Sequence, residues 1–166
     1  MSRPTRTEAG HLDGSRAQLT AFLDYQRETV LWKVDGVSDE DARRAMVPSG
    51  TSLAGIVKHL AFVERFWFQK VFAGRPADFP WSEDEPDADW AVGEWESLEG
   101  LTRFYREEAA VSRKIAEEAS SLKRRSADPD VRVNLRWILL HMIEETARHA
   151  GHADILRELI DGSTGE

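Results

Sequence analysis

The sequence has 166 residues, of which 41% are hydrophobic and 31% charged, with no cysteine and a formal net charge of −8. These values are typical of one globular domain, here residues 1–166 with residues 1–10 and 162–166 frayed, and they exclude disulfides, thiolate metal sites and a catalytic cysteine. The negative charge opposes binding to nucleic acid, and no apolar run is long enough to span a membrane. We therefore expect a cytoplasmic protein.

The first half of the chain carries two predicted helices. Apolar residues at helical spacing predict the first helix over residues 14–34, and a short helical turn follows Ser38. The second helix extends to residue 72, and Thr51 or Ser52 is a suitable N-cap for it.

A long irregular segment separates the second predicted helix from the third. Residues 75–93 hold three of the six prolines and a string of acidic residues, which favour a loop. The third helix is predicted over residues 95–122 and the fourth over residues 135–160, with Asn134 as its cap. Because nearly 20 residues can carry the chain back along a bundle, helices two and three can run parallel. We therefore predict an all-α four-helix bundle of up-down-down-up order with a long crossover between helices 2 and 3.

Ionisable residues interrupt the apolar seam of the fourth predicted helix. Glu145, His149 and His152 occupy three consecutive seam positions, where the other positions hold leucine, isoleucine or methionine. An unpaired carboxylate inside a bundle costs several kcal/mol, so it requires a partner. The second predicted helix has one such residue, His59, on its apolar stripe, whereas Glu64 flanks this stripe and is expected at the surface.

Two imidazoles and a carboxylate form a ligand set that divalent zinc, nickel, iron or manganese accepts. Glu145 and His149 are four residues apart, a spacing at which side chains on a helix converge. His149 with His152 is an alternative pair, and His141 falls beside the seam. We predict a metal site of His59, Glu145 and His149, with His152 and His141 as neighbours or alternative ligands. A buried polar network without metal is the competing interpretation.

The crossover is rich in tryptophan, with Trp81, Trp90 and Trp95 in the segment 79–95. Long ordered loops often serve as lids over small-molecule pockets. Alternatively, these aromatic residues pin the crossover to the bundle. The sequence leaves both interpretations open.

The pair His59-Leu60 and the stretch Glu145-Thr-Ala-Arg-His149-Ala-Gly-His152 resemble the DinB-like superfamily of bacterial four-helix bundles. This resemblance implies that His59, Glu145 and His149 are the metal triad and that His152 is a neighbour of the site. Position 145 holds glutamate, whereas histidine is commoner there in the superfamily. In this respect the sequence resembles the mycothiol-dependent maleylpyruvate isomerase branch. The stretch from Asp41 to Glu64 resembles an actinobacterial subgroup of the superfamily.

Three functions are compatible with such a site. The first is a thiol-dependent transferase or isomerase, using mycothiol or a similar thiol such as bacillithiol and a small-molecule substrate. A thiol bound to a metal ion is deprotonated near neutral pH, which supplies the nucleophile that a cysteine-free chain lacks. The second is a metal-dependent hydrolase, and the third is a non-enzymatic metal-binding or stress-response protein in which His152 closes the site. We also expect a homodimer, the commonest assembly of soluble proteins.

Overall fold

Helices make up most of the described part of the chain, residues 6–165 of this computed structural model. No strand occurs among these residues, so the prediction of an all-α bundle is confirmed. Residues 1–5 and 166, at the ends predicted to fray, lie outside the described residues. The helices are α1 (Ser15–Val34), α2 (Asp39–Arg43), α3 (Leu53–Glu64), α4 (Leu98–Glu118) and α5 (Leu135–Asp161), and a π-helical segment, Arg65–Phe72, continues α3.

Polar caps determine where the long helices begin. The hydroxyls of Ser52 and Ser97 and the amide oxygen of Asn134 each accept a backbone N–H three residues further on, at 3.0 to 3.1 Å. Each bond satisfies a donor that the helix itself leaves unpaired. Because Ser97 takes this role, α4 begins at Leu98 and not at the predicted residue 95, and it ends at Glu118, before the predicted residue 122. At the other end of α5, Gly162 adopts φ 76°, a conformation that favours glycine.

The core consists of two apolar clusters. One joins α1, α3, α4 and the C-terminal half of α5, and the other joins the π-helical segment to the N-terminal half of α5. On α5, Met142 belongs to the second cluster and Ala150 to the first. Glu145 and His149 therefore lie at the junction between the clusters. Residues 73–97 form the irregular crossover, as predicted for residues 75–93.

A buried ion pair joins α1 to α3. Arg27 donates from Nε and Nη2 to the two carboxylate oxygens of Glu64 at 2.7 and 2.6 Å, and Glu64 is 0% exposed. Burial lowers the pKa of Arg27, but the charge of Glu64 and the hydrogen bonds to it outweigh this effect and raise the pKa. The prediction that Glu64 lies at the surface was wrong, because Val57 and Leu60 precede it on a second buried face of α3.

Within residues 6–165, no helix combines the length and the apolar character that crossing a membrane requires.

Candidate metal centre

The structure brings together the three residues that the sequence predicts as ligands. His59 comes from α3, and Glu145 and His149 come from neighbouring turns of α5. Nε2 of His59 lies 3.3 Å from Oε1 of Glu145, and Nε2 of His149 lies 3.2 Å from the same oxygen. One ligand atom from each of these side chains lies within 4.8 Å of the other two. Two facing helices thus direct two imidazoles and a carboxylate to one point.

The cluster is largely withdrawn from solvent. The side chain of His149 is 8% exposed, that of His59 14% and that of Glu145 15%. Hydrogen bonds from His149 and His59 hold the pKa of Glu145 far below its usual value, so its carboxylate is charged at neutral pH. Its second oxygen, Oε2, accepts a hydrogen bond from Nη1 of Arg148 at 3.0 Å.

The crossover adds Asp89, which the sequence did not identify as a site residue. Oδ2 of this buried carboxylate lies 2.6 Å from Nδ1 of His59. Burial lowers the pKa of His59, but the hydrogen bonds to Asp89 and Glu145 outweigh it, and the pKa is raised. The sequence offers no sign that Asp89 differs from the exposed acidic residues around it, because its inward position depends on the path of the crossover.

Both imidazoles have a hydrogen-bonding partner on the nitrogen that faces away from Glu145. Asp89 accepts the Nδ1–H of His59, and Nδ1 of His149 lies 3.3 Å from Nδ1 of His152. Histidine ligands of metals usually donate their other ring N–H to a carboxylate or another acceptor, which sets the tautomer. Nε2 of each ring therefore faces Oε1 of Glu145, where a cation would take the place of the two hydrogen bonds.

The two other histidines that the sequence singled out occupy different positions. His152 is exposed and contacts the remote nitrogen of His149, so it is a neighbour of the cluster. His141 is not brought to the cluster. Its ring stacks on Trp137, with centroids 5.0 Å apart and planes at 14°, and meets Trp67 edge to face at 4.8 Å.

The crossover is held tightly against α3 beside the cluster. The Trp90 ring stacks on His59 with the centroids 4.0 Å apart. Nζ of Lys58 donates to the carbonyl of Ala91 at 2.6 Å, which fixes the chain just after this tryptophan. A Cβ atom on Gly55 would lie 2.9 Å from the Trp90 carbonyl oxygen, so the close approach requires glycine at this position.

A cavity of about 320 Å³ opens beside His59. The π-helical segment and the crossover supply its aromatic walls. Trp81 and Trp90 of the crossover line this space, and each also contacts a ring of the bundle. Trp95 is 88% exposed and does not line the cavity. The lining consists of His59, Val63, Phe66, Trp67, Trp81, Pro86, Asp87, Asp89 and Trp90.

The fold and the cluster of two histidines and one glutamate place this protein in the class of helical bundles with a candidate metal centre. A family model described as Mycothiol-S-transferase matches residues 18–162, and the chain belongs to this DinB-like family. The match covers all of α3, α4 and α5, and therefore every residue of the cluster. The resemblance to the DinB-like superfamily is confirmed.

The crystal structure of a conserved protein from Enterococcus faecalis has a similar fold, with a TM-score of 0.68. The two chains are 16% identical, and the similarity covers 91% of this chain and 99% of that chain. At this identity the similarity shows the fold alone. A comparison with curated proteins gives no match.

Proposed function

We propose that the protein is a mycothiol-dependent transferase or isomerase in which His59, Glu145 and His149 hold one divalent metal ion. The family supports the thiol, and the convergence of the three side chains supports the ion. The observation that carries the proposal is the meeting of two imidazole Nε2 atoms at one oxygen of Glu145. The proposed scaffold is a single four-helix domain of up-down-down-up order.

The donor set fits a divalent ion of the zinc, nickel, iron or manganese type. Two imidazole nitrogens and one carboxylate oxygen are the protein ligands of many zinc and non-haem iron enzymes, which keep further positions open for substrate. Asp89 and Glu145 also place two carboxylates around His59, and their negative charge favours a cation.

A divalent ion in such a site would lower the pKa of a bound thiol, which supplies a nucleophilic sulfur near neutral pH. In the proposed reaction the thiol gives up its proton, and its sulfur adds to an electrophilic carbon of an unsaturated co-substrate. As the C–S bond forms, the π bond of the co-substrate breaks, and its electron pair takes up the proton at the far end of that bond. In an isomerase the same C–S bond later breaks and the proton returns to the thiol.

The neighbouring residues orient this site. Asp89 fixes the His59 ring by accepting its Nδ1–H, and Nδ1 of His149 lies 3.3 Å from Nδ1 of His152. His152 is exposed, so this contact joins the buried cluster to the surface of the bundle.

One alternative is a non-enzymatic metal-binding protein with a closed site. Such a site requires a fourth protein ligand, for which His152 is the candidate. Nδ1 of His152 contacts Nδ1 of His149, on the side of the ring that faces away from Glu145. This position favours an open site and hence an enzyme.

Thiol consumption tests the proposed function. Protein loaded with zinc, nickel, iron(II) or manganese is incubated with mycothiol and a panel of electrophiles, and the remaining thiol is measured. We expect turnover by the wild type and by His141→Ala, and none by His149→Ala. A loaded wild type that consumes no thiol with any electrophile would contradict the proposal. Turnover of esters or amides without thiol would indicate the hydrolase alternative instead.

A further inference from the structure

The cavity beside His59 is bounded mainly by aromatic rings from two parts of the chain. Phe66 and Trp67 come from the π-helical segment, and Trp81 and Trp90 come from the crossover. The Phe66 centroid lies 5.2 Å from that of Trp67 and 6.2 Å from that of Trp81. Departures from α-helical geometry occur frequently at functional sites, and this one places two consecutive aromatic residues on the cavity wall.

The charged residues that line this cavity are acidic apart from His59. They are Asp87, which is exposed, and Asp89, which is paired with His59, and no lysine or arginine of residues 6–165 lines the space. The cations next to the site residues in sequence are already paired. Arg65 donates to Glu108 at 2.7 Å, and Arg148 donates to its neighbouring glutamates.

Aromatic walls with a carboxylate at the edge attract positive charge. The faces of tryptophan and phenylalanine rings carry negative electrostatic potential, which stabilises a cation within about 6 Å of the ring centre. The same walls bury apolar surface of a neutral compound. In the metal-free protein, an anion would meet Asp87 without a lysine or arginine on the cavity wall to offset the repulsion.

We propose that this cavity binds the electrophilic co-substrate. The cavity prefers apolar compounds that are neutral or positively charged over compounds that carry a carboxylate. The identification of the bound compound as the co-substrate rests on the proposed function, whereas the preference for its charge rests on the residues of the cavity wall alone. The volume of about 320 Å³ lies within the range of small-molecule sites.

Binding to metal-free protein tests this selectivity separately from turnover. The probes are benzyltrimethylammonium, benzyl alcohol and phenylacetate, which share one aromatic ring and differ in charge, and calorimetry measures each Kd near pH 8. We expect the cation to bind tightest and phenylacetate to bind at least about fivefold more weakly than the cation. Phenylacetate that binds as tightly as benzyltrimethylammonium would overturn the proposal.

Two variants assign the binding to this cavity. Trp81→Ala removes one wall and should weaken binding of the cation at least about fivefold, whereas Trp95→Ala, at an exposed tryptophan of the same crossover, should leave it unchanged. Asp87→Asn preserves the shape of the side chain. It should weaken binding of the cation and leave the affinity for benzyl alcohol unchanged. Cation binding that neither Trp81→Ala nor Asp87→Asn alters would contradict the assignment. Because these assays need neither metal nor thiol, the expected order of binding supports the cavity even where thiol consumption fails.

Discussion

Nδ1 of His59 lies 2.6 Å from Oδ2 of Asp89, which is 30 positions further along the chain. This bond joins α3 to the crossover and directs the opposite ring nitrogen toward Glu145. A carboxylate in an irregular segment therefore orients an imidazole on a helix. The affinity of the proposed metal centre should depend on the path of the crossover as well as on the three ligands.

Replacing the carboxylate partner tests this dependence. Asp89→Asn should weaken metal binding about 10- to 100-fold, because a neutral amide stabilises the orientation and basicity of His59 less well. Competition with a chromophoric chelator measures the affinity. Asp87→Asn is the matched control, since this exposed carboxylate has no hydrogen bond to His59. Equal affinities of the wild type and Asp89→Asn would show that the bond has no role in the site.

Substitution of Gly55 tests the close approach of the crossover to α3. The added methyl group of Gly55→Ala would lie 2.9 Å from the Trp90 carbonyl oxygen, so backbone must shift. We expect the free energy of unfolding to fall by about 1–3 kcal/mol, as measured by urea denaturation. In the control Gly151→Ala, on α5, the new Cβ has no neighbour within 4 Å, and stability should rise by about 0.5–1 kcal/mol. Equal effects of the two substitutions would argue against a tight contact.

Removal of one partner from the buried pair of Arg27 and Glu64 should destabilise the protein strongly. Arg27→Met leaves the carboxylate buried without its partner and should cost about 3–5 kcal/mol of unfolding free energy. The double variant Arg27→Met with Glu64→Leu removes both charges and should recover most of this loss. Lys114→Met, which breaks an exposed ion pair, should cost less than about 1 kcal/mol. A double variant no more stable than Arg27→Met would contradict this account.

The pH dependence of the metal-free protein follows from His59. Its pKa in the folded protein lies above the ordinary 6.5, because hydrogen bonds to Asp89 and Glu145 outweigh the effect of burial. The stabilisation is therefore complete below the unfolded-state pKa and is lost as pH rises through the folded-state pKa. With a chelator present, His59→Gln should destabilise the protein more at about pH 5.5 than at about pH 8.5. Metal affinity should rise as pH rises, because the ion requires neutral imidazole.

The candidate ligands on the helices could be predicted from the sequence, because these polar residues interrupt a regular pattern of apolar residues. Glu145 and His149 occupy positions of α5 where apolar residues are expected, and His59 does the same on α3. The spacing of four residues on one helix predicted that the first two side chains converge, and their hydrogen bond confirms this proximity.

The remainder of the site depends on chain paths that local periodicity does not determine. Asp89 and Trp90 reach His59 from an irregular segment, and their neighbours are exposed or half-buried. Glu64 was misplaced because its partner Arg27 lies on another helix, 37 residues away in sequence. The change from α- to π-helical geometry at Arg65 likewise left no sign in the apolar spacing.

Metal content tests the central claim most directly. The wild type, His149→Ala and His141→Ala are incubated with zinc, nickel, iron(II) or manganese, freed of loosely bound ions and analysed by mass spectrometry of the elements. We predict about one divalent ion per chain in the wild type and in His141→Ala, and its loss in His149→Ala. The same metal content in all three proteins, or none in the wild type with any of the four ions, would contradict the account.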